Sequence, residues 1–304
     1  MGLLERFLRH EEPAEAGPPE PLVLNPNVER PLKSLQVLFP RRLGQLGLTS
    51  ERLTRTLRTY HPWLAEARCE IENEHAAPDA PFGLAGWDAH VVKLVGMSSP
   101  LPPELTLRCV RPAHYLADIK TKALAHKAHI ELYYAGYARS PLEQYVALSV
   151  VAGALATRGA DVVLNENART SLPAEVLAAA HFSGDRLGLL RALPIPTLYV
   201  GFVKYDVAGT KGVWMRTHGG HLMGLPDLAY LAKGHHQGEL VFDLFSCVLH
   251  YLLTSGAELG AGHTMQIGSD LFLKARTPGE REQFLESDGE LFVLETISAL
   301  EINA

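Results

Sequence analysis

One stretch, residues 140–159 (SPLEQYVALSVVAGALATRG), limits what this chain can fold into more than any other. Ser140 offers an N-cap oxygen, Pro141 takes the first helical position, and Glu143 stands three residues after the cap, the spacing of a capping box. The pattern predicts a helix running to about Thr157 and stopped by Gly159. Tyr145, Val146, Leu148, Val150, Val151 and Leu155 leave that helix almost no polar face, so it must be covered on most sides. Other layers have to be built around it.

The flanking segments supply candidates for those layers. LQVLF (35–39) reads as a strand, and 49–60 as a helix with Thr49 or Ser50 as N-cap and Glu51 in the first turn, where the helix dipole favours a carboxylate. RCEIEN (68–73) and HVVKLVGM (90–97) are strand-like, the second running into the Pro-rich loop SSPLPPE. A helix is expected over 113–124. HIELYYA (129–135) then alternates Ile130, Leu132 and Tyr134 against His129, Glu131 and Tyr133, which places His129 on the solvent side of a strand. A strand at DVVLNE (161–166) and a helix near 174–180 complete an alternating strand–helix order over residues 35–190, the pattern of a layered lobe.

Residues 191–304 read as a second, α+β lobe. TLYVGFVKYDV and GVWMRTH are strand-like runs joined by AGTKG, the signature of an antiparallel hairpin. A helix follows over 239–255, with Gly256 as its stop, and HTMQIG, DLFLKAR and ELFVLETIS supply late strands. The overall expectation is an α+β fold: a layered sheet-and-helix body with an alternating first lobe and a hairpin-containing second, packed together. Ahead of it, residues 1–34 combine an apolar tip (Leu3, Leu4, Phe7, Leu8) with the Pro- and Glu-rich EEPAEAGPPEPLVLNPNVERP. Such a segment buries too little apolar surface to offset its ordering entropy, so it reads as a tether, with order beginning near Leu35.

Composition narrows the function. The 304 residues carry a formal charge of −6 without a dense run of Lys or Arg, so no footprint for a nucleic-acid backbone is visible. Cys69, Cys109 and Cys247 are odd in number and lie among apolar residues, which predicts reduced thiols and a cytoplasmic location. MGLLERFLRH carries Glu5 and Arg6 where a secretion signal needs an unbroken apolar run, and Arg6 where myristoylation requires Ser or Thr. The longest apolar run, 240–253, contains Asp243 and His250 and falls short of the roughly 20 residues a membrane span needs.

In ALAHKAHIELYYAG with the following SPLEQYVALSVV, in PTLYVGFVKYDVAGTKGVWMRTHG with the following GLPDL, and in GMSSPLPPE, the chain resembles bacterial proteins grouped as domain of unknown function family 4261. These stretches cover most of residues 87–268. The resemblance implies an α+β domain, often behind a short charged tether, with no established activity. It also implies that Gly219, Gly224 and Asp227 occupy positions of the family pattern, whereas His218 and His221 do not.

Candidate chemistry gathers in THGGHLMGLPDL (217–228). His218 and His221 flank Gly219 and Gly220 in a turn, and such a turn can bring both imidazoles to one zinc ion, with Asp227, His235, His236 or His263 as a third ligand. No fixed framework such as HExxH accompanies them, and hydrogen-bonded or surface histidines are the plainer account. Pro226 and Asp227 suit the start of a helical segment. Glu166 and Arg169, in LNENART after a strand, are secondary candidates because strand ends often carry sites; a capped loop explains them equally. The Gly-rich 256–268 follows a helix and precedes a strand, the wrong order for a phosphate cradle, although Glu258 and His263 there form an acid–base combination. Walker A and GxSxG sequences are absent. The expectation is a non-enzymatic protein-binding or accessory module without cofactor, of immunity type or tied to a bacterial secretion or toxin system, in which Leu3, Leu4, Phe7 and Leu8 either meet another protein or form a helix that folds back onto the body. The alternative is a metal-binding protein or metal-assisted hydrolase built on the histidines.

Overall fold

The structure is a computed structural model and describes residues 21–28, 31–178, 184–269, 271–299 and 301. The tip residues Leu3, Leu4, Phe7 and Leu8 lie outside the described residues.

Seven strands make the first sheet: β1 (Ser34–Phe39), β2 (Arg68–Ile71), β3 (Phe82–Trp87), β4 (His90–Met97), β5 (Ala128–Tyr134), β6 (Val162–Asn165) and β7 (Thr170–Pro173). Their spatial order is β2-β3-β4-β5-β1-β6-β7, and every pairing is antiparallel. The strand–helix alternation expected from sequence is therefore interrupted, because β2, β3 and β4 follow one another directly as a meander. Helices α1 (Ser50–Tyr60) and α4 (Pro141–Ala156) cover one face; α2 (Pro103–Val110) and α3 (Ala117–Leu124) cover the other. β1 records both contacts: Leu35, Val37 and Phe39 join the core of α1 and α4, and Leu38 joins that of α2 and α3. The second cover overturns the solvent-side placement of His129. It is buried, and its Nδ1 donates to the Ser99 carbonyl at 2.8 Å.

Helix α4 forms as its sequence demands. Ser140 Oγ accepts from Glu143 N, and residues 145–155 are all buried. The Glu143 carboxylate turns instead to Arg191, in α6 (Arg186–Arg191), with two bonds of 2.7 and 2.8 Å. A short α5 (Ala174–Leu177) packs against α4 as well. The edge of β2 is closed by side chains of α1: Cys69 N donates to Thr54 Oγ1 and Ile71 N to Ser50 Oγ, which removes the unpaired groups that would recruit another strand. Asn25 donates from its backbone to Ala135 O and from its side chain to Gly136 O, so the chain already follows the body ten residues before Leu35, the expected start of order.

Six strands make the second sheet: β8 (Gly201–Tyr205), β9 (Val213–His218), β10 (Asp227–Ala232), β11 (Thr264–Ile267), β12 (Leu271–Arg276) and β13 (Leu291–Ile297), in the order β11-β12-β13-β10-β9-β8. β8 and β9 are the expected hairpin. One pairing, β10 with β13, is parallel. Helix α7 (Gly238–Ser255), ended by Gly256 at φ 68°, turns Val241, Phe245, Val248 and Leu249 into the same apolar core that contains α4. Both helices and strands are thus present around two sheets, an α+β fold with one core running through both lobes. Among the described residues, no helix is long and apolar enough to cross a membrane.

Candidate functional site at the lobe junction

The segment 217–228 leaves β9 through two glycines that only a residue without Cβ adopts at low cost, Gly219 at φ 88° and Gly224 at φ 69°. Between them a 3₁₀ turn, Gly220–Met223, buries Leu222 and Met223 in the common core. Asp227 then opens a strand, where the sequence suggested a helical start. Its carboxylate is used inside the second lobe instead: Oδ1 accepts from Thr217 Oγ1 (3.0 Å) and Gly220 N (3.1 Å), Oδ2 from Ser287 Oγ (2.5 Å) and Arg216 Nη2 (3.5 Å). Arg216 and Asp227 are only 1% and 2% exposed, so each charge depends on the other and on these bonds. Arg216 also donates to the carbonyls of Thr217 and Glu286. This knot fixes both the turn and the loop before β13.

Beside the knot, a cavity of about 330 Å³ opens between the lobes. Its lining comes from three places: Asn167 and Arg169 of the turn joining β6 to β7, His218, Gly219 and Asp227 around the exit of β9, and residues 286–288 of the loop before β13. Arg169 holds a left-handed backbone at φ 52°, a conformation that costs a non-glycine residue about 1–2 kcal/mol and persists only where its surroundings impose it. Asn165 imposes it here: its Nδ2 donates to Leu198 O and its Oδ1 accepts from Ala168 N, tying the turn to the second lobe. The Arg169 side chain reaches the Tyr205 hydroxyl at 3.4 Å, and the same hydroxyl bonds His218 Nε2 at 2.7 Å. Burial first, and then the charges of Arg216, Arg169 and Arg108, push His218 down to about 2. The imidazole is therefore neutral at ordinary pH.

The structure brings together Arg169, His218 and Asp227 from the residues singled out in sequence, and separates the rest. His221, three residues from His218, faces a different cleft with Glu258 and Glu290. His235 bonds Asp206 at 2.9 Å on the surface, His236 borders a groove on α7, and His263 Nδ1 accepts from Gly260 N. Glu166 pairs with Arg108 at 3.6 Å. Among the described residues, no three His, Cys, Asp or Glu side chains are placed to hold a metal ion. The histidines that looked like one ligand set belong to separate neighbourhoods.

Residues 216–289 match the family model described as Domain of unknown function (DUF4261). The chain thus resembles that family over a stretch that begins inside β9 and takes in the turn, the Asp227 knot, α7 and Ser287. Arg169 lies outside it. No curated protein and no solved structure matches the chain.

Tyr205, Arg216, Ser287 and Asp288 were not singled out by sequence reasoning. Arg216 carried a usable signal, a charge in the otherwise uncharged strand VWMRTH, since a charge inside a sheet needs a buried partner. Tyr205 looked like one more aromatic strand residue. Ser287 and Asp288 sat in a charged loop whose path depends on the parallel pairing of β13 with β10, a contact between residues about 60 positions apart.

Proposed function

We propose that this chain is a protein-binding module whose junction pocket receives an anionic group of the partner, a free peptide carboxylate. The supporting observation is Arg169: its backbone is held left-handed, it lines the pocket, and its guanidinium makes one hydrogen bond among the described residues, the 3.4 Å contact to Tyr205. The planar fork retains N–H groups with the geometry of a carboxylate. His218, neutral and held by Tyr205, does not repel a cationic neighbour, and Glu286 and Asp288 offer acceptors to the N–H of the same terminal residue.

The test uses short peptides with a free C-terminal carboxylate and their amidated counterparts, followed through the backbone amides of Asn167, Arg169 and Gly219 by NMR. The free-acid peptides shift these amides, the amidated ones do not, and Arg169→Gln weakens binding by about tenfold or more, the loss of one charge-assisted pair. Equal response to both peptide forms, or an undiminished response in the Arg169→Gln variant, refutes the reading.

A further inference from the structure

Helix α7 carries apolar residues on the side away from the core: Leu240, Cys247 and Tyr251 fall at i, i+7 and i+11, close to one helical face, and Leu244 between them is buried in the core. Leu240 is 55% exposed and Tyr251 60%, and Cys247 is an exposed free thiol. Ile267 and Leu271, from β11 and β12, complete a groove of about 490 Å³ with Leu240, Leu244 and Cys247. Its rim carries the carboxylates of Glu239 and Asp243.

We propose that this groove is the docking site of the chain's own N-terminal segment, residues 1–10. MGLLERFLRH offers the complementary surface: Leu3, Leu4, Phe7 and Leu8 for the apolar floor, and Arg6 and Arg9 for the acidic rim. The described chain picks up at Pro21, with Leu22 against β3 at Gly86 and Asn25 bonded to the loop after β5. With residues 1–10 docked, the ten residues 11–20 can span up to about 35 Å. A chain of this length folds to a radius of gyration of about 19 Å, so that reach is of the order of the body's own dimensions. The docking is independent of the carboxylate pocket around Arg169, which shares no lining residue with the groove.

Cys247 is a built-in reporter. Cys69 and Cys109 are 4% and 0% exposed, so in the folded protein a bulky maleimide reads Cys247, and a Cys247→Ser variant confirms the assignment. The intact chain labels slowly. Deletion of residues 1–12 speeds labelling by about tenfold, and so does the full-length double variant Leu4→Asp with Phe7→Asp, which keeps the chain length unchanged. A synthetic peptide of residues 1–12 added in excess restores protection to the truncated chain. Labelling of Cys69 or Cys109 would expose any unfolding, and the full-length variant then carries the comparison. Equal rates in the intact and altered chains overturn the proposal, and so does protection that rises with protein concentration, which would mean docking between copies.

Discussion

The two lobes solve the problem of a stable centre in opposite ways. In the first, α4 is buried along residues 145–155 and the sheet is padded by helices on both faces, so position is fixed by apolar packing. In the second, a buried knot of Arg216, Thr217, Asp227 and Ser287 ties β9, β10 and the loop before β13 together through polar contacts. Packing tolerates small adjustments of each contact, whereas a buried charge pair tolerates none, because losing one partner strands the other. The candidate site lies where these two kinds of order meet, and it takes its rigidity from the second.

The sharpest way to break the contrast is Asp227→Ala, which leaves Arg216 charged and unpaired; unfolding by urea should show a loss of about 4 kcal/mol, in the range for splitting a buried pair. Replacing both residues at once, Arg216→Met with Asp227→Leu, should recover much of it, and failure to do so would show that the hydrogen bonds to Thr217, Gly220 and Ser287 hold the lobe independently of the charges. In the first lobe Leu148→Ala should cost about 3 kcal/mol, the transfer and cavity price of a fully buried leucine, with no comparable double-variant rescue by a polar partner. The smallest effect concerns pH. His218 stays neutral in the folded chain down to about 2, but the unfolded chain takes up a proton below its ordinary value of 6.5. Each unit of pH below 6.5 therefore favours unfolding by about 1 kcal/mol from this residue alone, and stability returns as pH rises through 6.5. His218→Gln should flatten the slope of unfolding free energy against pH by that amount, leaving the part due to His90, His126 and His129, which burial also pushes down.

What was legible in the sequence is what local chemistry determines. Ser140, Pro141 and Glu143 announced α4, Thr49 capped α1, and AGTKG marked the hairpin, each through contacts within a few residues. β3 escaped because FGLAGW contains two glycines and an alanine, which blur the alternation of a half-buried strand. α2 was hidden behind the prolines 102 and 103, which read as a loop but serve as cap and first helical residue. β10 was misread because Pro-Asp resembles a helix start; the Asp227 side chain instead serves groups from β9, the turn and the loop before β13. The site was half visible for the same reason. Arg169, His218 and Asp227 were conspicuous as residue types, but their meeting depends on two lobes that the chain joins only in three dimensions.

One contact at that meeting sets the limits of the pocket. A Cβ on Gly201 of β8 would lie 1.6 Å from the Ala168 carbonyl oxygen, so main chain faces main chain with nothing between. The gap that separates Asn167 and Arg169 from His218 is thereby gauged by backbone thickness, much as a caliper is set by its frame. Changes of side chain can alter what the jaws grip, through Asn167 or Ser287. The distance between the jaws belongs to the two sheets.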